Sequence, residues 1–489
     1  MLFNSHIFIL LFLPLLLAGW YFLNWKKKFQ LAQGYLIGMS LWFYAYANLQ
    51  YLWLLLFSCL MGWLLSCLPE KISSEKGKKA LIGIGCVFHL GLLGYFKYSN
   101  FFLENLNTVF HTDFPMLQIL LPIGISFYTF QQLAYLIDRC RGDAPRDSFF
   151  DYLTFMVYFP QLLQGPILLR SEFMGQLKEP ERRRFHAERF SEGIQFFVFG
   201  LAKKVLLADT LAKAVNYGYS NVSMLDSISA LLLAVGYLTE LYFDFSGYCD
   251  MAVGLGKMIG LEVAENFDAP FHSASVKEFW RRWHMTLGRF FTRYVYIPLG
   301  GNRRGKMRTL CNVMIVMLLS GLWHGAAWTF VLWGFLHGVG MIWDNLEHPH
   351  LPKKWMRQAA TFAYVCMTFV FFRAESIAQG IDVLKSIVSL KWNGFVFQMA
   401  SALDMTECYM ITKALSMKLP GLLSWFWLGI FVVLIAICFR VLSGEKVSGV
   451  VALQRQKGYG RLYPVLLAVL FTWSMISMTG VSEYLYFSF

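Results

Sequence analysis

Residues 306–328 read Lys-Met-Arg-Thr-Leu-Cys-Asn-Val-Met-Ile-Val-Met-Leu-Leu-Ser-Gly-Leu-Trp-His-Gly-Ala-Ala-Trp. Two cations open the stretch, and from Leu310 to His324 only Asn312 and Ser320 interrupt apolar or small residues. His324 lies 16 positions beyond Arg308, about 24 Å along a helix at ~1.5 Å per residue. That distance puts an imidazole at membrane depth rather than at a water-facing end. Ionisable groups there are costly and face a cavity or a partner. Apolar surroundings favour the neutral imidazole, the form a general base needs. Gly321 and Gly325 allow close approach of a backbone or a substrate, and Ser320 and Trp328, four residues to either side, share the predicted helix face of His324. The structural alternative is a histidine hydrogen-bonded between helices.

The rest of the chain supports a membrane reading. Of 489 residues, 57% are hydrophobic, 18% aromatic and only 15% charged. A soluble domain carries roughly 25% charged residues, so an ordinary soluble enzyme, a disordered chain and a disulfide scaffold are excluded. The net charge of +13 would suggest nucleic acid in a soluble protein. In a membrane protein it follows from Lys and Arg collecting in cytoplasmic loops, and no nucleic-acid partner is assigned. The nine cysteines are scattered without a CxxC pair and read as small buried hydrophobes.

Loop charges set the path. An apolar run at 7–23 precedes Lys26, Lys27 and Lys28, so the first helix is retained with its N-terminus outside and the lysines in the cytoplasm. Residues 31–68 exceed the ~20 that cross a bilayer and divide into two helices near Asn48–Gln50. The basic loop 71–79 is inside, 104–113 outside, and Arg139, Arg141 and Arg146 inside again. Residues 152–169, broken by Pro160, Gly165 and Pro166, form a re-entrant or in-plane segment rather than a span, since irregular backbone at membrane depth must line a cavity or be buried in protein. Further apolar segments at about 193–212, 226–248, 310–336, 358–373, 424–441 and 462–480 give an all-α polytopic protein of roughly ten or eleven spans, read as a single domain over 1–489.

Residues 277–308 hold nine Lys or Arg against one acid, Glu278. Ser275-x-x-Glu278 is a capping box. Val276, Trp280, Trp283, Leu287, Phe291 and Tyr294 repeat at helical spacing, with Lys277, Arg281 and His284 on another face. An amphipathic helix at the inner membrane surface follows. Its cations meet lipid phosphates or recruit an anionic cytoplasmic donor, such as coenzyme A or a phosphopantetheine carrier. Pro298-Leu-Gly-Gly-Asn-Arg-Arg-Gly305 is a turn whose glycines suit a phosphate nest beside Arg303 and Arg304, or a plain cytoplasmic turn. Glu240 and Asp244 share one face of an apolar segment; they are functional candidates or partners of a buried Arg. His348-Pro-His350 has chelating spacing but no partner cluster, so no metal site is assigned.

Phe279-Trp-Arg-Arg-Trp-His284, Tyr296-Ile-Pro-Leu-Gly-Gly-Asn-Arg303 and Leu322-Trp-His-Gly325, together with Leu121–Gln132, Phe159-Pro-Gln161, Gly165-Pro-Ile167, Asp244-Phe-Ser-Gly-Tyr248 and the C-terminal Tyr484-Leu-Tyr-Phe-Ser-Phe489, resemble the membrane-bound O-acyltransferase family, in its bacterial alginate O-acetyltransferase branch. The resemblance is close over about 30–345 and looser over 346–489. It implies helices around a tunnel, with catalytic residues His324 and His284. A donor, acetyl-CoA or an acyl carrier protein, would be held near Arg281, Arg282, Trp283, Asn302, Arg303 and Arg304. The substrate tunnel would pass Trp323, Ser320, Trp328, Asp244, Tyr128 and Gln132. It further implies a bacterial inner-membrane location among lipids and periplasmic acetylation partners, with O-acetylation of an exported polysaccharide as the activity. D-alanylation of teichoic acid, acetylation of peptidoglycan and, in another class, a polysaccharide transporter are the alternatives.

Overall fold

In the computed structural model the described residues are 1–346, 353–442, 446–458, 460, 462–478 and 484–485. They are helical without a β-strand and cluster into two compact units. The first comprises residues 1–198, 248–265 and 286–298; the second comprises 199–247, 266–285 and 299–489. Six helices among the described residues are long and apolar enough to cross a membrane.

The first unit opens with α1 (Phe8–Trp25), α2 (Phe29–Asn48) and α3 (Leu52–Ser66). The 3₁₀ turn Leu49–Tyr51 lies between α2 and α3, where the long apolar run is predicted to divide. α4 (Glu75–Phe110) starts at Ser74, whose side chain accepts from the Gly77 N–H and so caps the first turn. α5 (Ile125–Arg141) is followed by α6 (Phe149–Val157). α2 and α5 fill predicted spans yet fall outside the six: Gln30 and Gln33 lower the hydropathy of α2, and α5 is only 17 residues long. After α6 the chain makes one short turn at Phe159–Leu162 and then runs irregularly, with Leu163, Gln164, Ile167 and Leu168 all buried. This is the broken, protein-buried backbone predicted for 152–169.

Two cations of the basic stretch 277–308, Arg289 and Arg293, are neutralised inside this unit. Arg293 pairs with Asp138 and Asp143 at 3.0 Å each, Arg289 forks onto Glu172, and Tyr294 donates to Asp138 at 2.9 Å. The basic cluster is therefore not one uniform anion site. Arg281, Arg303, Arg304, Lys306 and Arg308 have no ion pair among the described residues.

The second unit centres on four further elements. These are α7 (Val276–Arg282), α8 (Lys306–His324), α9 (Trp328–Asn345) and α10 (Lys354–Arg373). α8 and α9 are not the single segment predicted over 310–336. His324 ends α8, Gly325 and Ala327 are extended, and Trp328 opens α9. The reversal is made possible by small residues. A Cβ on Gly321 would strike the Phe330 carbonyl oxygen, one on Gly334 would strike that of Met317, and each would lie 3.3 Å from the other glycine's Cα. Backbone-to-backbone packing of this kind is what small residues allow between membrane helices. Gly334→Val is expected to cost about 1–3 kcal/mol or more by overpacking. The check is the melting temperature of the detergent-solubilised protein, and an unchanged value would show that the close crossing is not needed.

The amphipathic helix predicted from Ser275 through Tyr294 is likewise interrupted. α7 stops at Arg282, Trp283 is extended, and His284 takes a left-handed φ of +46° before the next helix begins at Met285. The break is held by backbone pairing to residues 266–268. The Asp268 N–H donates to the Arg282 carbonyl and the Met285 N–H to the Asn266 carbonyl, both at 2.9 Å. His284 therefore leaves the basic face on which periodicity placed it and turns inward, 1% exposed.

Candidate active site

Two histidines 40 positions apart meet the same indole. The His284 ring lies 6.0 Å from Trp323 and 4.7 Å from Phe245, centroid to centroid. The His324 ring lies 4.9 Å from Trp323, 5.1 Å from Trp333 and 5.1 Å from Phe372. Both imidazoles are buried. Ser320, one turn before His324, is buried too. Trp328 is not on the face of His324: it begins the next helix and is 57% exposed.

The hydrogen bonds of His284 fix its chemistry. Nδ1 lies 3.2 Å from the Asn266 Oδ1. An amide oxygen only accepts, so Nδ1 carries the proton and Nε2 keeps its lone pair. Nε2 is buried without a hydrogen-bond partner, and burial lowers the imidazole to about 3, which keeps it neutral at physiological pH. A strained left-handed residue costs roughly 1–2 kcal/mol, and such strain concentrates at functional positions.

A third buried histidine, His337, was not singled out by the sequence reading and differs in one respect. Its Nδ1 accepts from the Trp280 indole N–H at 3.2 Å and its Nε2 lies 2.9 Å from the Thr368 hydroxyl. Both nitrogens are satisfied, as a structural histidine requires.

Beside His324 lies a cavity of about 760 Å³, walled by Phe330 and Phe372 and lined by Lys204, Asp209, Glu240, Asp244 and Arg373. Phe372 contacts both the cavity and His324. The partner of Asp244 is Lys204, at 2.6 Å, rather than the buried Arg considered from the sequence; Lys204 also reaches Asp209 at 2.7 Å. Lys204 stands in a π-helical turn, Lys203–Ala208, a widening frequent at functional sites. Its sequence signal was a cation inside the apolar segment 193–212. The second oxygen of Asp244 accepts from the Leu485 N–H at 3.0 Å, and the Tyr484 ring lies 4.7 Å from the Lys204 ammonium. The remaining C-terminal motif residues, 486–489, and His348 and His350 lie outside the described residues.

Other predicted residues are placed as follows. Arg281 is exposed, and Arg282 pairs with Glu278 at 2.9 Å beside the buried Trp283. Asn302, Arg303 and Arg304 are exposed on a turn with positive φ at Gly300 and Gly301, held by the Asn312 amide donating to the Gly301 carbonyl at 2.9 Å. Tyr128 and Gln132 belong to the first unit, where Tyr128 is buried and Gln132 donates to Ser58 at 3.0 Å.

Helices long and apolar enough to cross a membrane, together with a buried histidine whose Nε2 keeps its lone pair, suit an integral-membrane group-transfer enzyme. The membrane-bound O-acyltransferase (MBOAT) family profile matches residues 142–379. The chain is 36% identical over 423 residues to a peptidoglycan O-acetyltransferase of Helicobacter pylori, covering 80% of each chain. It is 39% identical over 392 residues to the probable alginate O-acetylase AlgI of Pseudomonas putida, covering 77% of this chain and 78% of that one. A teichoic acid D-alanyltransferase of Bacillus subtilis is 28% identical over 271 residues, 52% of this chain and 69% of its own. The chain belongs to the membrane-bound O-acyltransferase family and is a multi-pass membrane O-acyltransferase.

Proposed function

We propose that the enzyme takes an acetyl group from cytoplasmic acetyl-CoA and delivers it across the bacterial inner membrane for O-acetylation of an exported polysaccharide. The observation that carries this reading is the pair His284 and His324 around Trp323, with a lone pair on the buried Nε2 of His284. His324 accepts the proton of the acceptor hydroxyl as its oxygen attacks the thioester carbon. The C–O bond forms, the C–S bond breaks, and the coenzyme A thiolate takes up a proton as it leaves. His284 assists that proton transfer or positions the donor. Arg281, Arg303 and Arg304, exposed and without ion pairs among the described residues, are the cations offered to the donor phosphates. The N-terminus is outside, as the Lys26–Lys28 signal requires, and periplasmic proteins pass the acyl group on.

Purified membranes supplied with labelled acetyl-CoA, or separately with a charged acyl carrier protein, test the donor. Label incorporated only from the carrier would overturn the acetyl-CoA reading. A second acceptor is favoured by the Helicobacter relative, which covers as much of this chain as any reported above: the glycan of peptidoglycan. Mass spectrometry of exported polymer and of peptidoglycan, from cells with and without the protein, separates the two.

A further inference from the structure

Asn266 holds His284 at two points. Its Oδ1 lies 3.2 Å from the His284 Nδ1, and its backbone carbonyl accepts from the N–H of Met285, the next residue, at 2.9 Å. Asp268 clamps the other side of the break. Its N–H donates to the Arg282 carbonyl at 2.9 Å, and its own carbonyl accepts from the Arg282 guanidinium at 3.3 Å. Between the two, Phe267 lies 5.1 Å from the Trp283 ring and 5.2 Å from that of Phe245, centroid to centroid. Asn266 is itself buried, 1% exposed.

The two contacts have separable effects. The backbone bond holds the left-handed turn at His284 and survives replacement of the Asn266 side chain. The side-chain bond governs the ring. A neutral imidazole carries its proton on Nδ1 or on Nε2, and only the first form leaves a lone pair on Nε2. An acceptor at Nδ1 selects that form. An amide selects it without adding charge, whereas a carboxylate in the same place would also favour the imidazolium, which has no lone pair. The elements packed on His284 present Phe245, Trp323 and Asn266. No charged side chain among the described residues acts on it, and burial alone governs its protonation. Asparagine at 266 therefore keeps the buried Nε2, which has no hydrogen-bond partner, both uncharged and able to accept a proton.

We propose that Asn266 is a positioning residue of the acyl transfer, holding His284 in its Nδ1–H form so that Nε2 serves proton transfer rather than binding of the donor. This rests on the reading of the chain as a transferase that uses acetyl-CoA, and it assigns His284 one of the two tasks left to it there. Over one turnover the proton leaves the acceptor hydroxyl and passes by way of an imidazole nitrogen to the departing thiolate. Nε2 regains its lone pair, and no proton is gained or lost. Asn266 touches neither donor nor acceptor; it acts through His284.

Two measurements on the full chain test this. The first is label transfer from acetyl-CoA in membranes between pH 5 and pH 8, normalised to protein in the membrane. Asn266→Ala is expected to lower kcat about tenfold, the effect of one lost hydrogen bond, with the acetyl-CoA KM within about twofold of wild type. Asn266→Asp keeps the accepting oxygen and should run within about threefold of wild type at pH 8. Its rate relative to wild type should then fall at least about twofold on going to pH 5, as the carboxylate draws a proton onto Nε2. A merely structural residue would leave that ratio constant. A raised KM with kcat unchanged in Asn266→Ala, or a constant ratio in Asn266→Asp, overturns the proposal. The second measurement is the ¹⁵N spectrum of labelled histidine in nanodiscs, which reads the tautomer without turnover; His284→Gln assigns the signal. The wild type should show the Nδ1–H form at both pH values, and Asn266→Ala a mixture of the two neutral forms. An Nε2–H ring in the wild type, or an unchanged spectrum in Asn266→Ala, overturns the proposal whatever the donor. Wild-type membranes that take no label from acetyl-CoA would overturn the donor reading alone, and the spectra would still decide this one.

Discussion

Replacing His324 by Ala is expected to lower acyl transfer at least about 100-fold, the lower end of what a positioned general base contributes. The side chain ends α8 and is packed between the rings of Trp323, Trp333 and Phe372. Alanine removes both the base and a piece of the packing, so the loss alone would be ambiguous. His324→Gln keeps most of the volume and removes the imidazole; it should be equally inactive while melting close to the wild type. Transfer of label from acetyl-CoA in membranes, normalised to protein in the membrane, is the measurement. Either variant retaining more than a tenth of wild-type transfer would remove His324 from the chemistry.

That prediction follows from a residue the sequence already exposed, and the reason is physical. A titratable side chain 16 positions into an apolar run has few places to be except buried, and His324 is buried. The same holds for the divided helix pair α2 and α3, whose total length exceeds one bilayer crossing, and for the broken segment after α6, signalled by its prolines. What periodicity could not reveal were breaks made by tertiary pairing. The apolar repeat runs smoothly through Trp283 and His284, yet the chain reverses there because residues 266–268 supply backbone partners. Nothing local signals a strand-like pairing with the upstream segment that supplies Asn266 and Asp268. The reversal between α8 and α9 has a local sign, Gly321 with Gly325, which makes room for a backbone or a substrate; it is backbone that approaches Gly321, from Phe330 and Gly334 across the turn. The ion network around Asp244 had an incomplete sign. Its acids stand out in the sequence, whereas Lys204 lies within the apolar segment 193–212 and Arg373 at the end of the segment 358–373. Pairing between residues 40 positions apart is a property of packing, not of spacing.

Lys204→Met is expected to destabilise the second unit by about 3–5 kcal/mol, the cost of breaking a buried ion pair from one side. Lys204 and Asp244 are 2% and 1% exposed, and Asp209 is 24% exposed. With the ammonium gone, Asp244 keeps its bond from Leu485 but loses its counter-charge, and both carboxylates are left facing the cavity. Methionine matches the length of the lysine stem, so the loss is electrostatic rather than a void. Adding Asp244→Asn to Lys204→Met removes the orphaned charge while retaining an accepting oxygen for Leu485. The double variant should therefore be more stable than Lys204→Met alone, a coupling that only neighbouring residues show. Thermal melting in detergent reads all three proteins. A Lys204→Met melting temperature equal to that of the wild type would mean that the pair contributes no net stability. A double variant no better than the single would mean that the destabilisation comes from lost packing against the Tyr484 ring, which lies 4.7 Å from the ammonium. The expected order, wild type above the double variant and the double above the single, places the cost in uncompensated charge, and it assigns Lys204 the task of holding two acids beside the histidine site without leaving either one unpaired.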